Sequence, residues 1–187
     1  MELCIFDLSE RYNALVSLIS NPSLVSLVHH TIPVSFFECP GAAKHHHAYR
    51  HGLFQHTVEV AEYAFMLASS ADDLTRYDMD VLIVSALLHD VAKTAEYTIT
   101  FDAEGKDVIG YGDFRIGHVI QSVIWMERAN AKCSLVLEST CDDIARTMLA
   151  HHGHVDWGTP KGCTVTNKRC NDIQAILHAA DMISAGK

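Results

Sequence analysis

The chain has 187 residues, 49% of them hydrophobic, and a net charge of -9 at pH 7 with its 13 histidines counted as neutral. That length and apolar content suit one domain with a sizeable core. The acidic balance argues against a general affinity for nucleic acid duplexes, which takes a basic face to neutralise phosphates, and leaves a small or single-stranded phosphate substrate open. No N-terminal stretch joins a basic region to an apolar segment and a small-residue cleavage site, and no apolar run approaches the ~20 residues of a membrane span. A soluble, cytoplasmic protein with no membrane partner is expected. The six cysteines (Cys4, Cys39, Cys133, Cys141, Cys163 and Cys170) lack C-x-x-C spacing, which points to reduced structural thiols.

In chain order, apolar residues at helical spacing in Tyr12 to Ile19 and Leu24 to Val28 predict two short helices, with Asn21-Pro22-Ser23 as a stop and restart. After Thr31-Ile32-Pro33 the stretch Ser35 to Arg50 is irregular and carries a native triplet, His45-His46-His47. Leu53 to Ala68 predicts an amphipathic helix, and Asp78 to Asp90 an almost wholly apolar one, central to the core. Thr98 to Thr100 and Val108 to Gly110 flank a polar stretch and read as a small hairpin. Gly112-Asp113 is expected to open a helix through Ala129, with Asp113 as N-cap. A further helix runs from about Asp142 to His152 and stops at Gly153, and Asn171 or Asp172 starts the last, through Ser184. The predicted fold class is all-α: about seven helices in a bundle with a small β-hairpin excursion. Residues 1–187 form one domain, with 1–33 as an N-terminal helical extension.

The most informative feature is His89-Asp90, which ends the apolar run Val81 to Leu88. Polar groups at the end of a buried helix need compensation, and a metal ion is the simplest source. A lone His-Asp pair carries little information, but His56, His118, His151-His152 and Asp181 fall on four other predicted helices. Imidazoles with carboxylates suit manganese, iron, zinc, cobalt or nickel rather than calcium, and their number exceeds the needs of one octahedral ion. Two divalent transition-metal ions are therefore expected. Asp90 would bridge them, His56, His89 and Asp181 would favour one, and His118 with His151 or His152 the other. A single histidine on an apolar helix is more often a hydrogen-bonded core or surface residue. That reading stands for His29, His30, His154 and His178, although His178 lies one turn from Asp181 and is placed to orient it.

The order His56, His89-Asp90, His118, His151-His152, Asp181 resembles the HD superfamily of metal-dependent phosphohydrolases in its multi-histidine, dinuclear form. From about Phe36 onward, four segments look like the HD domain of bacterial 3'-to-5' exoribonucleases that carry an oligonucleotide-binding fold. They are Pro40 to Tyr49 continuing to Gly52-Leu53-Phe54-Gln55-His56-Thr57; Ala86 to Lys93; Gly117-His118; and His151-His152-Gly153 through Trp157-Gly158-Thr159-Pro160-Lys161 to Gln174 to Asp181. Two features depart from that pattern. Before Pro33 there are only the two short helices rather than an oligonucleotide-binding fold, and His51 stands where the family tends to have a second glycine.

The resemblance implies a phosphodiesterase or exonuclease that hydrolyses short single-stranded RNA or DNA with a water activated by two cations. Asp90 would anchor both ions, and Lys93 in the His-Asp-x-x-Lys pattern would hold a phosphate oxygen. From position, His46, His47 and Arg115 are candidate substrate contacts. Tyr49, Phe54 and Trp157 are able to stack on a base but equally suit a core. A nucleotide or cyclic or dinucleotide phosphohydrolase is the second reading. A regulatory module without activity, or a relaxase-type HD domain, is the third.

Overall fold

The computed structural model describes residues 5–44, 46–165 and 172–186. Cys4, His45, Cys170 and Asn171 lie outside the described residues. Among those described, seven α-helices of ten residues or more, a one-turn helix and a two-stranded hairpin make up the regular structure: α1 (Ile5–Ser17), α2 (Pro22–Thr31), α3 (Gly52–Ala68), α4 (Arg76–Leu88), α5 (Lys93–Glu96), β1 (Tyr97–Phe101), β2 (Asp107–Tyr111), α6 (His118–Cys133), α7 (Glu138–Leu149) and α8 (Ile173–Ser184). The fold is a helical bundle with a hairpin excursion. Among the described residues, no helix is long and apolar enough to cross a membrane.

Helix α4 is the axis of the bundle. It starts at a capping box, in which Thr75 Oγ1 accepts from Asp78 N and the Asp78 carboxylate accepts from Thr75 N. Val81, Leu82, Ile83, Val84, Ala86, Leu87 and Leu88 are all buried, so the helix is apolar on every side and packs against α2, α3, α7 and α8. Helices α1 and α2 share this core. Leu8, Tyr12 and Leu15 of α1 and Leu24, Leu27 and Val28 of α2 belong to the same buried cluster, and Tyr12 packs edge-on against Phe37 and Phe54 at 6.2 and 5.6 Å.

Two buried polar residues interrupt the apolar surface of α4, Asp80 and Ser85, and Ser85 Oγ donates to Ile144 O at 3.4 Å. Asp80 is buried, and its carboxylate accepts from Ser20 N (2.9 Å), Ser20 Oγ (2.5 Å) and Asn21 N (3.2 Å), which fixes the turn between α1 and α2. The hairpin pairs Ile99 with Ile109 in antiparallel register.

Two expected helix boundaries are corrected. Helix α6 starts at His118, not near Asp113, because its first turn is capped from across the fold: Glu96 Oε1 accepts from His118 N at 2.6 Å. Residues 112–117 are irregular, and Asp113 is exposed there and caps nothing. Helix α7 covers Glu138–Leu149, so His151 and His152 follow it in a turn rather than end it. Helix α8 has the expected Asp172 cap, whose side chain accepts from Gln174 N at 2.9 Å.

Replacing Asp80 with Ala removes a buried acceptor and strands its donors. Chemical denaturation should show a loss of ~2 kcal/mol; a loss below ~0.5 kcal/mol, the size of an ordinary surface change, would mean that the turn is held by other contacts.

Candidate metal centre

Helix α4 ends by directing a His-Asp pair into the bundle. His89 is fully buried, and Asp90 is 2% exposed. Around Asp90 the ligand atoms divide into two sets, one for each carboxylate oxygen. Facing Oδ2 are His56 Nε2 and His89 Nε2, both at 3.4 Å. Asp181 Oδ1 joins that set, 3.2 Å from His56 Nε2 and 4.0 Å from His89 Nε2. Facing Oδ1 are His118 Nε2 at 3.3 Å and His151 Nε2 at 3.6 Å. The ligand atoms of His118, His151 and His152 lie within 4.8 Å of one another, as do those of His56, His89 and Asp90.

All five of these ring systems engage an acceptor through Nδ1. His89 Nδ1–H donates to Ala86 O (2.8 Å), His151 to Met148 O (2.6 Å) and His152 to Trp157 O. His118 donates to Glu96 Oε2 (2.9 Å), and His56 to Ser184 Oγ (3.0 Å). A neutral imidazole has one N–H, so each Nε2 presents a lone pair to the centre. His56 Nε2 and His89 Nε2, two acceptors, face each other at 3.4 Å. Asp90 Oδ1, His118 Nε2 and His151 Nε2 are buried with no hydrogen-bond partner among the described residues. Lone pairs that converge in a buried space repel unless a cation lies between them, and this donor set fits a divalent transition metal.

The electrostatics point the same way. Burial and the neighbouring His152 and His89 rings push His151 well below the ordinary histidine range, and burial lowers His152. Both therefore stay neutral, the form that binds metal. Burial opposes charge on His56 too, but the Asp181 and Asp90 carboxylates beside it outweigh burial and raise its pKa, so that position favours positive charge. Asp90 is held far below the usual carboxylate range: burial works against ionisation, and Lys93, His89 and His118 overcome it.

A family model, the HD domain, matches residues 53–186. The chain belongs to the HD domain family. Among curated proteins it is 26% identical over 186 residues to the 3'-5' exoribonuclease YhaM of Bacillus velezensis, an alignment covering 96% of this chain and 54% of that protein. The corresponding protein of Geobacillus sp. (strain WCH70), also named 3'-5' exoribonuclease YhaM, is 26% identical, with 96% of this chain and 52% of its own length covered. The chain thus spans about half the length of these relatives, and the similarity includes α1 and α2 as well as the segments after Phe36. No solved structure matches the chain significantly.

A cleft of roughly 440 Å³ opens onto the cluster in this HD domain. His46, His47, Lys93 and His152 line its polar side, and Ala42, Trp157 and Met182 its apolar side. Lys93 begins α5 with Nζ 2.6 Å from Asp90 Oδ2, so it faces the centre rather than a helix C-terminus. His47 is presented by a tight loop. Its carbonyl accepts from Gly41 N (2.9 Å) and lies so close to Gly52 that a Cβ there would stand 2.0 Å from the oxygen. His46 is exposed at the cleft edge.

Of the other candidates, Arg115 sits in the exposed loop before α6, not on a helix, and does not line the cleft. Phe54 is core; Tyr49 bonds Gln55 Oε1 through its hydroxyl at 2.8 Å; Trp157, 53% exposed, forms part of the cleft rim. His51 adopts φ 69°, in the left-handed region that favours glycine, and is held by donation from Nδ1 to Phe37 O (2.6 Å).

Three outer residues escaped sequence reasoning. Glu96 braces His118, Ser184 braces His56, and Glu59 accepts from Ser184. Glu59 and Ser184 were within reach, because each follows a candidate ligand by three residues on its own helix. Glu96 left no local signal. His178 does not brace Asp181; its Nδ1 lies 2.7 Å from His151 O, and it holds the turn that carries His151 and His152.

That turn depends on Gly153, at φ 75°, where a Cβ would meet the His178 ring at 2.5 Å. Gly153→Ala is expected to cost ~1–2 kcal/mol in denaturation and to lower the metal content of the purified protein. Unchanged stability and metal content would show that the turn is free to rearrange.

Proposed function

We propose that this HD domain is a metal-dependent phosphohydrolase holding two divalent transition-metal ions, and that it cleaves phosphodiester bonds of short single-stranded nucleic acid. The observation carrying the reading is the convergence of four Nε2 atoms on a carboxylate whose two oxygens face different imidazole pairs, with His152 clustered beside His118 and His151. His56, His89 and Asp181 would hold one ion, His118, His151 and His152 the other, and Asp90 both. Such ions, when bound, supply Lewis-acid polarisation of phosphate oxygens and an acidified water.

The chain's own residues do the rest. Asp90 stays ionised and fixes the centre of the site. Lys93 stays charged, because Asp90 outweighs the burial that would neutralise it, and its ammonium lies at the cleft floor, in reach of a non-bridging phosphate oxygen. His47, tied to Glu59 through Nε2 at 3.1 Å, and the exposed His46 flank the path a phosphate would take. Trp157 offers an aromatic surface at the rim for a base. The name 3'-5' exoribonuclease carried by the relatives supports RNA as the strand.

A second reading, hydrolysis of a nucleotide or dinucleotide, is favoured by the net charge of -9, which repels a long polyanion more than a small one. Product analysis separates the two, since stepwise release of mononucleotides requires a strand.

The test is elemental analysis of the tag-free protein together with a Mn2+-supplemented screen of a generic phosphodiester, short RNA and DNA, and nucleotides. About two ions per chain are expected, with Asp90→Ala losing more than ~100-fold in turnover, the upper end of what removing a mere outer partner costs. Retained turnover in Asp90→Ala, with its helical content intact, would refute the reading.

A further inference from the structure

Helix α3 presents His56 and Glu59 three residues apart, and α8 presents Asp181 and Ser184 at the same spacing. The two pairs interlock. His56 Nε2 points to Asp181 Oδ1 (3.2 Å), its Nδ1–H donates to Ser184 Oγ (3.0 Å), and the Ser184 hydroxyl donates to Glu59 Oε2 (2.8 Å). A serine hydroxyl has a single proton, so donation to Glu59 leaves its lone pairs for His56 and fixes the direction of the chain. Glu59 in turn receives Gln55 Nε2 (2.7 Å) and His47 Nε2 (3.1 Å).

The other rings are braced differently. His89, His151 and His152 rest on main-chain carbonyls, and His118 on Glu96 directly. Among the described residues, His56 is the ligand candidate whose brace is a relay of side chains across two helices, and that relay continues to a residue of the cleft wall.

We propose that Ser184 and Glu59 are positioning residues that set the affinity of the half-site formed by His56, His89 and Asp181, leave the half-site of His118, His151 and His152 unaffected, and tie the first half-site to the cleft through His47. This rests on the metal reading above. The relay keeps the His56 proton on Nδ1, so Nε2 is free as a ligand atom, and the Glu59 charge increases the ring's basicity through the hydroxyl. Removing Ser184 Oγ leaves the ring without its acceptor, and removing the Glu59 charge leaves the hydroxyl without a fixed orientation. Glu96 plays the same part for His118, so the two half-sites are tuned by separate carboxylates.

The test is calorimetric titration of the metal-stripped full chain with Mn2+ alone, with circular dichroism to follow helical content. Wild type should show two binding events. Ser184→Ala and Glu59→Gln should each weaken one event by ~10–100-fold and leave the other within about twofold. The double variant should be no weaker than the worse single one, because both act in one chain of bonds. Ser184→Thr keeps the hydroxyl and should restore the event, and Glu96→Gln should weaken the other one. Two unchanged events in Ser184→Ala and Glu59→Gln would overturn the proposal, as would an additive double variant. If Ser184→Ala fails to fold, Glu59→Gln and Ser184→Thr decide alone. Absence of any binding by wild type is a different result: it refutes the metal reading itself.

Discussion

The site and much of the fold depend on a single ionised carboxylate, Asp90, held at the end of an apolar helix. Isolating such a charge from water costs several kcal/mol unless partners are placed around it. The partners come from every side. Lys93 contacts Oδ2 directly, His56 and His89 face that same oxygen, and His118 and His151 face the other. Helix α4 has to stop where it does, α3 and α8 have to lie side by side, and the turn after α7 has to approach closely, because each brings one of the groups that make the burial of Asp90 tolerable.

Rigidity is distributed accordingly. The inner ring atoms converge without hydrogen bonds among the imidazoles of the Oδ1 set, while the outer atoms are fastened to carbonyls, a hydroxyl and a carboxylate. The cleft side is built from less regular chain: the loop of His46 and His47, clamped against Gly52, and the turns around Trp157. Precise geometry is thus supplied by helices and their ends, and the substrate-facing surface by loops, the division expected when a rigid scaffold carries a variable rim.

Some of the residues that converge on Asp90 were legible because they interrupt a helical apolar pattern, and the pattern is a local property. His56 within Leu53 to Ala68 and His89-Asp90 after Val81 to Leu88 are of this kind. What depends on distant partners was not legible. The start of α6 is governed by Glu96, 22 residues upstream, so the nearby Asp113 was the wrong local choice. Asp80 looks like a stray charge on a core helix until Ser20 and Asn21, about 60 residues earlier, arrive to occupy it. The placing of His151 and His152 beyond α7 follows from the left-handed Gly153 and the His178 ring below it. Arg115 shows the opposite error, a residue near a ligand in sequence that sits in the exposed loop before α6 and does not line the cleft.

The residues facing Asp90 are spread from position 56 to position 181, so the array has no counterpart in an unfolded chain. Ions taken up in the proposed manner would act as clasps, fastening α3, the end of α4, the start of α6, the turn after α7 and α8 to one point and closing loops that span most of the polypeptide. Each clasp would stabilise the native state by mass action, to the extent that the ion binds the assembled site more tightly than the histidines of the open chain. It also screens the lone pairs that otherwise repel one another at the bundle's centre. Metal supply would then bear on the stability of this fold as well as on its chemistry.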